Sequence, residues 1–365
     1  MKYMWMIIFM VLPIVALAYV AWHVWMVLPF TALWKSLAIA AGVFCFAMLF
    51  MNFARKFDTC PLPVAQAVYD IGTSSIFVLL YMVMLFLVLD LGRLFHLVPR
   101  TFLFHSGHAS LAIFVLLFGI FLYGHLHYNN KVRVPLELKS SKPLPREYKV
   151  VMASDFHIGY HNTRKELARW VDMINSERPD FILIAGDIID GSMRPLKEER
   201  MYEEFLRLEA PVYACLGNHE FYAGHPEAKQ FYKDAGIRLL IDEAAVIDSS
   251  IVIVGRDDRT NMHRKSVKRL VPDRSKYIIV LDHQPYDLNL SEEAGVDFQL
   301  SGHTHRGQVW PISWITDHVY ECSWGSHQRG QTQFYVSSGI GIWGGRFRIG
   351  TQSEYVVATL RSNNI

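Results

Sequence analysis

Five short polar blocks fall between residues 155 and 305. They are Asp155-Phe156-His157, Gly186-Asp187-Ile188-Ile189-Asp190, Gly217-Asn218-His219-Glu220, Asp282-His283-Gln284-Pro285 and Gly302-His303-Thr304-His305. Their carboxylates, imidazoles and single carboxamide are the oxygen and nitrogen donors that hard or borderline divalent metals take. Asp155 and His157 lie two apart, so on extended backbone both face one side and can reach one ion. Asp187 has two carboxylate oxygens and could bridge two ions. Asn218 offers a neutral oxygen that limits the negative charge of such a cage. His303 and His305, again two apart, can supply one nitrogen to each metal, and His283 would complete the second set. Gly186, Gly217 and Gly302 allow tight turns and a close approach of the backbone. Each block alone is commonplace, and G-D-x-x-D is more often a turn with a helix cap. Their joint occurrence, in order and each after an apolar run, is what chance rarely produces.

The elements that must carry these blocks are readable beside them. Strands are expected at Lys149–Ser154, Phe181–Ala185, Val212–Leu216, Ile251–Val254, Tyr277–Leu281, Phe298–Leu300, Phe334–Val336 and Tyr355–Leu360. Helices are expected at Thr163–Ser176, capped by Asn162 or Thr163, at Lys197–Glu209, and from Pro226. This alternation predicts an α/β sheet covered by helices. Ligands of such sheets gather at the carboxyl ends of strands, where the five blocks stand.

In order and content the blocks resemble the calcineurin-like metallophosphoesterase superfamily, whose pattern runs D-x-H, G-D-x-x-D, G-N-H-[DE], H, then G-H-x-H. The resemblance covers about Tyr148 to Leu360. SGHTHRGQ (Ser301–Gln308), SSGIGIWGGRFRIG (Ser337–Gly350) and SEYVVATL (Ser353–Leu360) are similar to its membrane-associated YkuE- or YaeI-like subgroup. Arg306 departs from that subgroup, which usually has glycine there. The resemblance implies a β-sandwich flanked by helices and two divalent ions per chain, manganese, iron or zinc. One ion would be held by Asp155, His157, Asp187 and His305, the other by Asp187, Asn218, His283 and His303. Asp190 would orient His219, a catalytic residue that is not a ligand. Two ions roughly 3.5–4 Å apart would lower the pKa of a bridging water, and the resulting hydroxide would attack phosphorus. His219 would stabilise the transferring group and protonate the leaving oxygen. Arg306 and Arg346 are candidates for gripping a phosphate or diphosphate, or else solvated or structural arginines.

Of the 365 residues, 52% are apolar, and the excess sits before Asn129. Uncharged runs cover Met4–Phe30, Leu37–Phe53, Ile71–Leu89 and Ser110–Tyr128, each near the ~20 residues that cross a bilayer. The expectation is therefore a transmembrane domain of four helices over residues 1–128, a linker over 129–147 and a phosphoesterase domain over 148–365. Ala16-Leu17-Ala18 resembles a signal-peptidase site, but the apolar run continues past it, which favours an uncleaved helix. Lys2, Arg55, Lys56, Lys131, Arg133, Lys139, Lys142 and Arg146 share one side, against Lys35, Arg93 and Arg100 on the other. The positive-inside rule then places the catalytic domain in the cytoplasm.

Net charge is +2, so no nucleic-acid partner is expected. The cysteines lie far apart, and no C-x-x-C pair suggests a disulfide framework or a zinc knuckle. His96, His105, His108, His125 and His127 read as interfacial residues. The four runs hold no acidic or basic residue to mark a transport pathway. Trp310, Trp314, Tyr320 and Trp324 fit either core packing or an interfacial flap. The expected partners are the bilayer and a phosphorylated, lipid-linked substrate cleaved at a phosphodiester or pyrophosphate bond. A soluble nucleotide or phosphodiester is the enzymatic alternative. A non-catalytic membrane scaffold is the other, but such scaffolds have eroded ligands and none is missing here.

Overall fold

The computed structural model describes residues 2–53, 59–271 and 273–362, without the side chains of residues 2–10 and 53. The chain divides into two compact units, Met1–His125 with Gly344–Arg346, and Leu126–Trp343 with Phe347–Ile365.

The first unit is built from α1 (Lys2–Val27), α2 (Ala32–Phe53), α3 (Leu62–Leu94) and α4 (Gly107–Asn129), whose last turn belongs to the second unit. Among the described residues three helices are long and apolar enough to cross a membrane: Ala32–Asn52, Leu62–Leu94 and Gly107–Asn129, with mean hydropathy 1.9, 2.4 and 2.1. The expected fourth span is not matched in full. α1 is a continuous helix through Ala16-Leu17-Ala18, but its described apolar part, Val11–Val27, is shorter. α3 also outruns the apolar stretch that predicted it, so Asp70, Asp90 and Arg93 sit on the helix rather than in loops. Side chains here are sorted against the usual rule for water-soluble proteins. Leu111, Phe114 and Phe118 point outward, whereas His23 and Lys35 are buried. Such a surface suits a hydrocarbon solvent. Of the charges used to orient the chain, Arg55, Lys56 and the side chain of Lys2 lie outside the described residues.

The second unit packs two six-stranded sheets. Its strands are β1 (Lys131–Ser140), β2 (Tyr148–Ala153), β3 (Phe181–Ala185), β4 (Val212–Cys215), β5 (Arg238–Leu239), β6 (Glu243–Ile247), β7 (Ile251–Gly255), β8 (Tyr277–Leu281), β9 (Phe298–Ser301), β10 (Gly325–Arg329), β11 (Thr332–Val336) and β12 (Ser353–Ser362). The orders are β1-β12-β2-β3-β4-β5 and β10-β11-β9-β8-β7-β6. Strand alternation builds the layers. Val150, Met152, Ile251, Ile253 and Ile279 face the core between the sheets. Val151 and Ala153 turn to the outer face of the first sheet, against Trp170, Val171 and Ile174 of α5 (Arg164–Ser176). Val252, Val254, Ile278 and Val280 turn to the outer face of the second, against Val267 and Leu270. α5 begins where expected, with the Thr163 amide donating to Glu166 Oε2 at 2.9 Å.

Two expectations change. The connection after α4 is extended, but it is not a solvated linker: Lys131–Ser140 pairs in register with Ser353–Ser362 as β1. Its place at the sheet edge lets Pro135 lack an N–H there. The helix expected at Lys197–Glu209 is two short ones, Met193–Glu198 and Tyr202–Phe205. Arg200 between them has φ +51°, which no right-handed helix accommodates.

Ile279 is fully buried between the sheets. Ile279→Ala should lower unfolding stability by about 2–5 kcal/mol, and Ile279→Val by about 0.5–1.5 kcal/mol, both measured by denaturant titration.

Candidate metal centre

β2, β3 and β4 run parallel as neighbours in one sheet, and β8 and β9 run parallel in the other. Their carboxyl ends deliver Asp155, Asp187, Asn218, His283 and His303 to one cleft. Two sets of donors result. Asp155, His157 and His305 bring their ligand atoms within 4.8 Å of one another, as do Asp187, His283 and His303. A third set, His157, Asp187 and His219, overlaps both.

Asp187 Oδ2 lies 3.0 Å from His283 Nε2 and 3.6 Å from His157 Nε2. One carboxylate oxygen therefore belongs to both sets. On one side, His157 Nε2 and His305 Nε2 face each other at 3.1 Å, with Asp155 Oδ1 at 3.7 and 3.5 Å. Two imidazole nitrogens so placed need a cation or a proton between them. Asn218 Oδ1 is buried without a hydrogen-bond partner. This donor set, with its orphaned oxygen, fits a pair of divalent ions.

The histidines are oriented from behind. His283 Nδ1 donates to the Ala185 carbonyl at 2.7 Å, which leaves Nε2 for the cleft. Asp190 Oδ1 stands 3.3 Å from Nδ1 of both His157 and His219. The Asp190 carbonyl also accepts from His219 Nδ1 at 2.8 Å. Asp190 thus braces a ligand as well as His219.

Charge in this cleft is tightly matched. Burial works against the ionised forms of Asp155, Asp187 and Asp190, yet the surrounding imidazoles hold all three carboxyls below the usual range. Burial would lower His157 too, but hydrogen bonds to Asp155 and Asp190 push it up to about 10. His283 is likewise raised, against its burial, by Asp187. Burial prevails at His303 and His305, which fall to about 4 and about 3.

The backbone carries its own signature. Asp155, His157, Asp187, His303 and His305 have φ of +55°, +45°, +51°, +70° and +48°. The two D-x-H and H-x-H pairs therefore converge without the extended backbone expected of them. Left-handed backbone at non-glycine residues costs on the order of 1–3 kcal/mol each and clusters at functional sites. Glycine is needed for approach at Gly217 and Gly302, where a Cβ would collide with the carboxylates of Asp187 and Asp155.

Sequence reasoning missed two supports. Glu220 is buried and accepts from the amides of Gly217, Asp187 and Ile189 at 2.7, 3.2 and 3.0 Å, and from the Tyr232 hydroxyl at 3.0 Å. It ties the third block to the second. Arg348 is fully buried and donates to the carbonyls of His305, Ser338 and Gly341 at 2.7, 2.5 and 3.1 Å. The G-N-H-E motif gave a signal for Glu220; nothing marked Arg348 among its neighbours.

The two arginines singled out for phosphate binding fall in different units. The Arg306 guanidinium stacks over Trp324 at 4.3 Å. Arg346 belongs with the helical unit, where Nη2 is 3.2 Å from Asp70 Oδ2. The aromatic segment divides. Trp324 Nε1 donates to Glu354 at 3.1 Å, and the Tyr320 and Tyr286 hydroxyls meet at 3.0 Å. Trp314, Ile315 and Val319, on the helix Ile312–Val319, are exposed by 65%, 62% and 54%. Core packing accounts for only half of that segment.

Residues 148–307 match the calcineurin-like phosphoesterase family. A metallophosphoesterase of Aquifex aeolicus is 32% identical over 66% of this chain and 95% of its own length. The chain belongs to this family. Another member, Cj0846 of Campylobacter jejuni, is 32% identical over 64% of this chain and 65% of its own length. The "Transmembrane protein with metallophosphoesterase domain" of Danio rerio is 27% identical over 58% of this chain and 53% of its own length. The chain thus spans less than two thirds of these last two relatives. Calcineurin-like phosphoesterases depend on a dinuclear metal site, and this chain carries the donors for one.

Metal binding should release protons. At neutral pH His157 and His283 are held protonated by their carboxylates, and ligation requires neutral imidazoles. Affinity for a divalent ion should therefore rise with pH. Calorimetry of manganese binding in buffers of different ionisation enthalpy should show net proton release near pH 7; none would contradict this charge state.

Proposed function

We propose that this chain is a membrane-anchored phosphoesterase that cleaves a phosphodiester or pyrophosphate bond of a lipid-linked substrate. The observation that carries the chemistry is the sharing of Asp187 Oδ2 between two donor sets. Asp155, His157, Asp187 and His305 would hold one ion, and Asp187, Asn218, His283 and His303 the other. Bound there, manganese, iron or zinc would lower the pKa of a water and draw charge from the phosphoryl oxygens. His219 has Nδ1 committed to Asp190, which leaves Nε2 for the substrate. Burial lowers its pKa, but Asp187 and Asp190 raise it overall, which favours the protonated ring a general acid needs. It stabilises the phosphoryl group and protonates the leaving oxygen, with Asp190 as its positioning residue.

Membrane anchoring is supported by the three apolar helices and by relatives that are themselves named transmembrane. α1 serves as a fourth span in this reading, and the basic residues Lys131, Arg133, Lys139, Lys142 and Arg146 support a cytoplasmic catalytic unit. A lipid substrate is supported by the exposed Trp314, Ile315 and Val319, on a helix that follows His305 by only a few residues. An apolar stripe on a short amphipathic helix is suited to a headgroup interface.

Asp187→Asn should empty or loosen both ion sites. His219→Ala should keep about two metals per chain and lose roughly 10²–10⁴ in rate. Elemental analysis beside hydrolysis of a chromogenic phosphodiester separates the two, and metal loss in His219→Ala would refute its assignment.

The substrate class is tested by Trp314→Ser with Ile315→Ser. Turnover of phospholipid or lipid pyrophosphate in vesicles should fall several-fold while the chromogenic ester is cleaved as before. Equal rates on lipid would point to a soluble nucleotide or phosphodiester, which a hydrolysis screen of both classes would reveal.

A further inference from the structure

The helical unit holds a second cluster of polar side chains, remote in sequence from the metal ligands. It lies at the C-terminal ends of α1 and α3 and on the turn Arg100–Leu103. A cavity of about 350 Å³ opens there. Asp90 is its acid. One oxygen accepts from the Tyr19 hydroxyl at 2.7 Å and stands 3.0 Å from His23 Nε2, and the other is 3.6 Å from Arg93 Nη1.

Positive charge exceeds what Asp90 can balance. Arg93 Nε is buried with no hydrogen-bond partner. Arg100 lines the same cavity and makes no ion pair among the described residues. Lys35 is buried against the Trp25 carbonyl at 2.8 Å and His105 Nδ1 at 2.9 Å, each a neighbour in sequence of a cavity-lining residue. It pairs with no carboxylate among the described residues. Arginines at the ends of apolar helices can reach the interface, but a buried guanidinium nitrogen with no acceptor, Arg93 Nε, leaves room for an anionic one. The planar fork of arginine suits two oxygens of a phosphate.

The rest of the wall tells what carries the phosphate. Trp22, Leu103 and Phe104 line the cavity, and Trp22 and Phe104 are more than half exposed. An aromatic rim continuous with the outward apolar surface fits acyl chains and excludes a strongly hydrated free ion. We infer that this cavity binds the headgroup phosphate of an anionic glycerophospholipid, with Arg93, Arg100 and the Thr101 hydroxyl as donors. The inference rests on the helical unit lying in lipid and on no step of the hydrolytic reaction.

The test uses the full-length chain in mild detergent, with phosphatidylglycerol and phosphatidylcholine of identical acyl chains as probes and native mass spectrometry of bound lipid as the readout. Phosphatidylglycerol should be retained about tenfold over phosphatidylcholine, and Arg100→Gln should remove most of that preference. Arg100→Lys keeps the charge and should restore much of it, which a merely structural role would not predict. Hydrolysis of the chromogenic ester by each variant reports that the chain is folded. Inorganic phosphate and glycerol 3-phosphate are added as competitors at millimolar concentration. No displacement fits a lipid ligand; displacement by inorganic phosphate overturns the lipid assignment in favour of a soluble anion. Equal retention of the two lipids, or an unchanged preference in Arg100→Gln, overturns the site.

Discussion

The catalytic unit is organised around the burial of three carboxylates, Asp155, Asp187 and Asp190, each at most 2% exposed. An ion taken out of water costs several kcal/mol unless neutralised where it stands. Here neutralisation comes from imidazoles that reach the acids from both sheets. Asp187 is the pivot, since its Oδ1 accepts the His219 amide at 2.9 Å while its Oδ2 faces His157 and His283. Asp155 and Asp187 make no ion pair with an arginine or lysine among the described residues. Protons or metal ions can complete the charge of the cage, in keeping with the family's dinuclear site.

That constraint explains the architecture around it. The donors arrive from parallel strands in two sheets, so the sheets must keep a fixed separation and register, and the shared core of Met152, Ile253, Ile279 and Leu300 does this. The ligands also sit in left-handed backbone, which stores strain at several adjacent positions. Such strain persists only where surrounding contacts over-determine the loops. Glu220 ties three amides, and Arg348 ties three carbonyls around the last histidine loop. The cost of burying Glu220 and Arg348 is offset by full hydrogen bonding.

Much of this was legible in the sequence, and what was not has physical causes. The five blocks could be read because donor types and order are chemical facts of the chain. The buried strands could be read because β3, β7 and β8 are continuous apolar runs. β1, β6 and β10 escaped because they are polar or alternating strands at sheet edges, where half the residues meet water. Positive φ at Asp155 or His303 has no signature in residue type, so the reason given for the D-x-H pair was wrong although the pair does converge. Arg348 looked like its neighbour Arg346, and only tertiary placement distinguishes a buried brace from a helix-paired side chain. α1 is apolar over its described side chains, Val11–Val27, and the rest of the run that predicts a fourth span lies outside them.

One physical rule sorts both units, with opposite results. In the helical unit, apolar side chains face out and His23, Lys35 and Asp90 find partners within, as expected where the solvent is hydrocarbon. In the catalytic unit the apolar residues face in, as water demands. The helix Ile312–Val319 breaks that order by turning Trp314, Ile315 and Val319 outward, while Ser313 is the buried residue. A soluble domain gains nothing from such an inversion, since burying a tryptophan alone is worth about 1.5–3 kcal/mol or more. The inversion makes sense where that face meets something less polar than water. A headgroup region is one such surface, and the apolar face of a short amphipathic helix is suited to it.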